Sequence, residues 1–208
     1  MTGTIGIDFD NTIVSYDELM HRAALDCGLI ADGGDRTKRT VRDRVRQLPN
    51  GEVEWQKLQA LAYGPRMHEA RIADGAAEFI RWCHDAGMGV FIVSHKTEYA
   101  RYDATRTNLR LAALDWMAAH RFFEHDGLGL DRECVYFEST RADKIARIGA
   151  IGCSYFVDDL EEVFLEPSFP ADVLKILYAP NASHCAVEGA TVAPSWRALR
   201  EYLVSSRS

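Results

Sequence analysis

The chain has 208 residues, the length of one ordinary domain or of one domain with a small insert. Its formal net charge of −7 lacks the basic balance of most nucleic-acid-binding proteins, so we expect no nucleic-acid partner. Five cysteines without CxxC spacing argue against a disulfide framework or a structural zinc site, and the lack of a signal-peptide pattern or of ~20 consecutive apolar residues predicts a cytoplasmic protein without a membrane partner.

Short apolar runs rich in β-branched and aromatic residues alternate with amphipathic helical patterns along most of the chain. The runs predicted as buried strands are 4–7, 89–93, 134–137, 155–157 and 173–178. The predicted helices are 74–86, 109–120, 140–148 and 195–203. This alternation indicates an α/β fold, a Rossmann-like three-layer sandwich with a parallel sheet.

One segment interrupts the alternation. Residues 17–68 contain three helical patterns, separated by glycine- and proline-containing breaks, and no strand pattern. We therefore predict a small all-helical insert at 17–68 and an α/β core domain formed by 1–16 and 69–208.

Two acidic residues, Asp8 and Asp10, follow the first predicted strand. Parallel sheets bind ligands beyond the carboxyl ends of their strands, and residues two apart on a strand point the same way. Two carboxylates held together there are costly unless a cation compensates them, and Mg²⁺ prefers such oxygen ligands. A DxD motif alone also fits a strand-end turn or a metal-dependent sugar transferase.

Further polar residues lie at or near the ends of the other predicted strands. Ser94 ends the second long strand, and its hydroxyl is suited to donate to a phosphoryl oxygen. Lys144, in the helix that begins near residue 140, is suited to neutralise a carboxylate and a phosphate, with Lys96 as a competing candidate. Asp158 and Asp159 follow another apolar strand and suit a divalent ion.

The order Asp-x-Asp, Ser, Lys, Asp-Asp resembles the haloacid dehalogenase superfamily over essentially the whole chain. The matching segments are 5–12, 92–96, 141–148 and 155–163. The insert at 17–68 falls where that superfamily places its helical C1-type cap. The resemblance thus implies a haloacid dehalogenase-like core with a small helical cap.

The resemblance also implies roles for single residues. Asp8 is the nucleophile that forms an aspartyl-phosphate, and Asp10 protonates the leaving oxygen and then deprotonates water. Ser94 binds the transferring phosphoryl group, and Lys144 holds Asp8 and the phosphate oxygens. The implied Mg²⁺ ligands are Asp8, the backbone carbonyl of Asp10, Asp158 and, through water or as an orienting group, Asp159.

The activity implied is that of a phosphoric monoester hydrolase. Members of the superfamily that move phosphate to water or sugars resemble this chain in having an acid at the position of Asp10. Transport ATPases have threonine there, and dehalogenases lack the acid and need no metal. The alternatives are a phosphomutase of the same superfamily and a non-catalytic phosphoacceptor or metal-binding domain.

The motifs do not identify the leaving group of the substrate, and the oligomeric state stays open. We expect a small phosphorylated metabolite, such as a sugar phosphate or a nucleotide-like monoester. Candidate substrate-binding residues lie just past the acidic loop and in the polar segment after Ser94. They are Tyr16, Asp17, His21, His95, Lys96, Arg101 and Arg106.

Overall fold

The computed structural model of the protein describes residues 3–181 and 187–205. The chain divides into two compact units. Unit 1 contains Met1–Val14, Ile72–Lys96 and Arg121–Ser208, and unit 2 contains Ser15–Arg71 and Thr97–His120. No helix in the described ranges has the length and apolar character needed to cross a lipid bilayer.

Unit 1 is built on a six-stranded parallel sheet with the strand order β5-β4-β1-β6-β7-β8. Its strands are β1 (Thr4–Ile7), β4 (Gly89–His95), β5 (Val135–Glu138), β6 (Tyr155–Asp158), β7 (Leu174–Tyr178) and β8 (Ala190–Ala193). A separate two-stranded pair consists of β2 (Val14–Ser15) and β3 (Arg71–Ile72). The predicted parallel α/β sheet is confirmed, and β8 is an additional strand that the apolar pattern did not reveal.

The central strands β1 and β6 are apolar because both of their faces are covered. Ile5, Ile7, Phe156 and Val157 are all fully buried. Gly6 is required between them, since a Cβ at this position would lie 2.6 Å from Cδ2 of Phe156. The sheet therefore holds its middle strands closely and in a defined register.

Helices cover this sheet, as a parallel sheet requires. In unit 1 they are α4 (Ala76–Asp85), α6 (Arg141–Ile151), α7 (Glu161–Phe164) and α8 (Trp196–Ser205). The start of α6 is fixed by Thr140, whose side chain accepts a hydrogen bond from the Asp143 backbone N–H at 3.1 Å. The apolar face of α6, with Ile145 and Ile148, joins the buried cluster that includes Phe156.

Unit 2 is helical and includes the segment Thr97–His120, which the sequence pattern assigned to the core domain. Its helices are α1 (Asp17–Asp26), α2 (Lys38–Arg46), α3 (Gly51–Tyr63) and α5 (Leu109–Ala119). The prediction limited the insert to 17–68 and placed α5 in the core domain. Instead α5 packs against α3 and the 3₁₀ turn Met67–Glu69, and the indole Nε1 of Trp116 donates to the Ala70 carbonyl at 2.9 Å. Trp116 thus attaches α5 to unit 2.

Four of the five cysteines lie in the described part of the chain. Cys27, Cys83, Cys134 and Cys153 form no disulfide bond there, and Cys185 lies outside the described residues. Burial raises the pKa of the Cys153 thiol to about 11, so this thiol is protonated and unreactive near neutral pH.

Candidate active site

The carboxyl ends of β4, β1 and β6 lie side by side and bring Ser94, Asp8 and Asp158 together with Lys144 of α6. Asp8 follows β1, and its backbone N–H donates to the Val157 carbonyl at 2.9 Å. Its Oδ1 accepts a hydrogen bond from Ser94 Oγ at 2.8 Å and from Lys144 Nζ at 2.6 Å. Both donors contact the same oxygen of this buried carboxylate, which holds the side chain in one orientation.

Lys144 joins two of the strand-end acids. Its Nζ lies 2.6 Å from Asp158 Oδ2 as well as 2.6 Å from Asp8 Oδ1. Lys144 is 2% exposed and Asp158 is not exposed at all. Burial alone would lower the pKa of the Lys144 ammonium, but the Asp158 and Asp8 carboxylates outweigh burial and raise this pKa above its usual value. The lysine is therefore charged when it contacts the nucleophile candidate.

Asp158 is the most deeply buried acid of the group. Burial raises its pKa to about 6, Lys144 opposes this shift, and the nearby Asp8 charge adds to it. Its Oδ1 also accepts a hydrogen bond from the Leu160 backbone N–H at 3.0 Å. Asp158 shares its one ammonium partner, Lys144, with Asp8. A further cation beside this buried carboxyl group would therefore stabilise its charged form.

Asp8, Asp158 and Asp159 each offer a carboxylate oxygen, and these oxygens lie within 4.8 Å of one another. Three carboxylates and the Lys144 ammonium sum to −2, a charge that one divalent cation balances. Oxygen-only donors of this kind suit Mg²⁺. Of the predicted metal residues, Asp10 is not part of this cluster, so its proposed backbone contact stays a prediction.

The carboxylate of Asp10 has a different partner. Lys96 Nζ lies 2.9 Å from both oxygens of Asp10, and the Lys96 side chain is only 2% exposed. After Asp10 the chain turns through Asn11, which adopts a left-handed φ of 63°. Lys144 therefore contacts Asp8, and Lys96 contacts Asp10.

The structure also shows one residue at this site that the sequence analysis did not name. Thr12 is fully buried, and its Oγ1 donates to Asp159 Oδ1 at 3.4 Å. The signal for Thr12 was its place two residues after Asp10 in the DFDNT segment.

Tyr16, Asp17 and His21, predicted to bind substrate, lie in unit 2 and make contacts within it. The Tyr16 hydroxyl donates to Met67 Sδ at 3.2 Å, and Asp17 accepts from the Lys38 backbone N–H at 2.7 Å. His21 is buried, and its Nε2 has no hydrogen-bond partner among the described residues. The first two contacts are structural, since Tyr16 joins the start of α1 to the 3₁₀ turn and Asp17 joins α1 to α2.

The remaining predicted substrate residues follow Ser94. His95 is exposed, and one ring nitrogen lies 3.1 Å from the Ser139 carbonyl. The Arg101 guanidinium lies 5.5 Å from the centre of the Tyr102 ring, and Arg106, with a φ of 50°, lies 5.7 Å from that of Tyr99. Among the seven predicted substrate residues, Lys96 is the one whose contacts join it to the acids described above.

Several solved protein structures are similar to this chain in fold. No protein-family model and no curated protein matches the sequence. A haloacid dehalogenase-like hydrolase of Streptococcus pneumoniae is similar in structure, with a TM-score of 0.60, 13% identity and coverage of 97% of this chain and 98% of that one. A HAD family hydrolase of Deinococcus radiodurans, solved with phosphate and sodium bound, has a TM-score of 0.57, 16% identity and coverage of 99% and 96%.

A third similar structure is described as a dehalogenase, with a TM-score of 0.53, 12% identity and coverage of 97% of this chain and 96% of that one. At these identities the likeness concerns the fold. The chain has the fold of the haloacid dehalogenase-like hydrolases, as the order of the strand-end motifs predicted. Proteins with this fold include enzymes of different chemistry, so the activity must be argued from the site.

Proposed function

We propose that this protein is a Mg²⁺-dependent phosphatase of the haloacid dehalogenase superfamily that hydrolyses a small phosphomonoester through an aspartyl-phosphate on Asp8. The observation that carries the proposal is the environment of Asp8. One oxygen of its buried carboxylate accepts hydrogen bonds from Ser94 and Lys144, at 2.8 and 2.6 Å. A carboxylate held in this way is oriented for attack on an electrophile brought to the same donors.

In the first step a carboxylate oxygen of Asp8 attacks phosphorus, and the bond from phosphorus to the ester oxygen breaks. The leaving oxygen takes a proton from the Asp10 carboxyl group. The Ser94 hydroxyl and the Lys144 ammonium donate to the phosphoryl oxygens, which carry the negative charge of the transition state. Mg²⁺ held by Asp8, Asp158 and Asp159 would add positive charge beside the same oxygens.

In the second step water attacks the phosphorus of the aspartyl-phosphate. Asp10 now accepts a proton from that water, and the bond from phosphorus to Asp8 breaks, which returns the free carboxylate and releases inorganic phosphate. Asp10 is available for both tasks because its carboxylate is not one of the three in the acidic cluster that would hold Mg²⁺. This division of acids supports phosphatase chemistry over dehalogenation, which uses neither an acid at this position nor a metal.

The proposed substrate is a small phosphorylated metabolite, such as a sugar phosphate or a nucleotide-like monoester. Two features support this class. The acidic net charge disfavours nucleic acid, and a protein with the same fold was solved with phosphate bound. We propose a cytoplasmic location, because the described cysteines are free thiols.

The test is phosphate release from a panel of phosphomonoesters, with Mg²⁺ and with a chelator. The panel spans sugar phosphates, nucleoside monophosphates, glycerol phosphate and p-nitrophenyl phosphate. Asp8→Asn keeps the shape of the nucleophile and should lower release by about 10⁴-fold or more, as removal of a catalytic nucleophile does. Asp172→Asn makes the same chemical change at an exposed position and should leave release unchanged.

Release that survives in Asp8→Asn would contradict the proposal. Absence of release from every ester, with and without a bisphosphate activator, would also contradict it. Release that requires a bisphosphate activator would favour the phosphomutase. A long-lived phosphoryl group on Asp8 without turnover would favour the non-catalytic phosphoacceptor.

A further inference from the structure

The contact between Lys96 and Asp10 is unusual for its symmetry and burial. Lys96 Nζ lies 2.9 Å from each Asp10 oxygen, so the ammonium approaches the carboxylate along its midline. The Lys96 side chain is 2% exposed and that of Asp10 is 19% exposed. An ammonium buried to this degree is costly unless it is paired, so the position of the pair is specified by the fold and not by solvent.

Lys96 itself is fixed from two directions. Its backbone N–H donates to the Glu138 carbonyl at 2.9 Å, which continues the pairing of β4 with β5 by one residue. Its Nζ lies 5.4 Å from the centre of the Phe9 ring, and that ring packs edge-on against Phe137. The sheet therefore holds the backbone of Lys96, and the Phe9 ring, packed against Phe137, lies beside its ammonium group.

Asp10, by contrast, lies on a turn. The chain reverses through Asn11 in the left-handed region, and the backbone N–H groups of Ile13 and Val14 both donate to the Phe9 carbonyl, at 3.1 and 3.0 Å. A carboxylate on such a turn has several staggered rotamers available to it. The turn fixes the backbone of Asp10, and the contact of both its carboxylate oxygens with the buried Lys96 ammonium helps to fix where the carboxylate lies.

We propose that Lys96 is a positioning residue that holds the Asp10 carboxyl group for proton transfer to the leaving oxygen; this inference rests on the proposed function. The two buried lysines divide the acids of the site between them. Lys144 forms ion pairs with Asp8 and Asp158, and Lys96 forms an ion pair with Asp10. Because Lys96 contacts both Asp10 oxygens, one oxygen keeps the ammonium hydrogen bond while the other carries the proton to the ester oxygen.

This role predicts a dependence on the leaving group. Breaking the ester bond of phenyl phosphate requires more help from a proton donor than breaking that of p-nitrophenyl phosphate, because p-nitrophenolate leaves readily without one. The two esters have nearly the same shape, so a change in binding affects them alike. Loss of a positioned general acid should therefore reduce turnover of phenyl phosphate selectively.

The experiment compares native protein, Lys96→Met, Lys96→Arg and Lys175→Met on these two esters. Lys96→Met should lower kcat for phenyl phosphate by about tenfold to a hundredfold and kcat for p-nitrophenyl phosphate by about threefold or less, with KM little changed. Lys96→Arg keeps a donor and should restore part of the loss. Lys175 is a half-buried lysine that donates to the Phe164 carbonyl, and Lys175→Met should leave both activities unchanged.

A double-mutant comparison isolates the pair. In an Asp10→Asn background, Lys96→Met should change kcat for phenyl phosphate by less than about twofold, because its effect acts through Asp10. An equal loss on both esters would overturn the inference, since it would show a role in folding alone. A raised KM with unchanged kcat would also overturn it and would make Lys96 a substrate-binding residue.

A crystal structure of Lys96→Met supplies the readout that needs no activity. The inference expects the Asp10 carboxylate to leave its present position, and a carboxylate that stays in place would overturn it. If the native protein hydrolyses neither aryl ester, this structure alone decides whether Lys96 positions Asp10. The proposed function fails only if no ester of the full panel is hydrolysed. If Lys96→Met does not fold, Lys96→Arg carries the same kinetic and structural comparisons.

Discussion

Replacement of Lys144 by methionine removes the ammonium that two buried carboxylates share. Methionine has a similar length and fills the same volume, so the main change is electrostatic. Asp158 is fully buried and Asp8 is 5% exposed, and each loses a partner at 2.6 Å. Breaking a buried ion pair by removal of one partner costs about 3–5 kcal/mol of folding free energy.

In a protein of this length that cost corresponds to a fall in Tm of roughly 6–20 °C. The assay is thermal unfolding in a chelator, followed by circular dichroism and calorimetry, for the native protein, Lys144→Met and Lys175→Met. Lys175→Met loses one hydrogen bond to a carbonyl and should cost about 1 kcal/mol. The difference between the two lysine variants reports the buried charge alone.

Mg²⁺ provides the second arm of the same assay. If Asp8, Asp158 and Asp159 bind a divalent cation, saturating Mg²⁺ should stabilise Lys144→Met more than it stabilises the native protein, because the cation replaces missing positive charge. Ca²⁺ and a matched concentration of NaCl serve as controls for selectivity and ionic strength. A Lys144→Met protein that unfolds within about 1 kcal/mol of the native protein would refute the electrostatic reasoning.

Two further predictions concern packing and pH dependence. Gly6→Ala should destabilise the protein by about 1–3 kcal/mol in chemical denaturation, because the new Cβ would lie 2.6 Å from the Phe156 ring. Gly149→Ala lies within helix α6, where the new Cβ would be 3.4 Å from its nearest neighbour, and should be neutral or stabilising. Equal effects of the two substitutions would contradict this reasoning. Hydrogen bonds from Arg66, more than its charge, lower the pKa of Glu69, so the stability they contribute is present above the ordinary value of 4.5 and is lost as the pH falls through the lowered folded-state value. Glu69→Gln should therefore cost about 1 kcal/mol at pH 7, and a cost that stays constant in acid titrations of the unfolding free energy would contradict the assignment.

The strand-end acids could be predicted from the sequence because their signal is local. An apolar run followed by a polar residue marks a strand end, and a parallel sheet brings such ends to one edge. Asp8, Ser94 and Asp158 follow this rule: the structure places Asp8 and Asp158 against Lys144, and Ser94 against Asp8. The same local patterns gave the α/β fold class, which the structure confirms.

The partners of the two lysines could not be predicted in the same way. Lys96 follows Ser94 by two residues, and its sequence position favoured a role at the phosphate as much as that of Lys144 did. The choice depends on strand order, because the pairing of β4 with β1 brings the Lys96 side chain to Asp10. Pairing between residues 86 apart is a property of the fold and not of the local pattern.

Two elements show the same limit for the fold. The apolar positions of α5, among them Ala113 and Trp116, are typical of a buried helix but do not state which unit covers them. Strand β8 is a four-residue segment with small side chains, which lacks the branched apolar run that marked the other strands. Both are fixed by long-range packing that no local pattern records.

The central claim is that the phosphoryl group of the substrate is transferred to Asp8 and then to water. The most direct measurement is a single turnover of a hydrolysed phosphomonoester in water labelled with heavy oxygen, followed by acid quenching and mass spectrometry of the peptide that contains Asp8. The account predicts a transient phosphoryl group on Asp8, heavy oxygen in the released phosphate and none in the Asp8 carboxylate. Heavy oxygen in Asp8, or turnover without any phosphoryl group on it, would contradict the account.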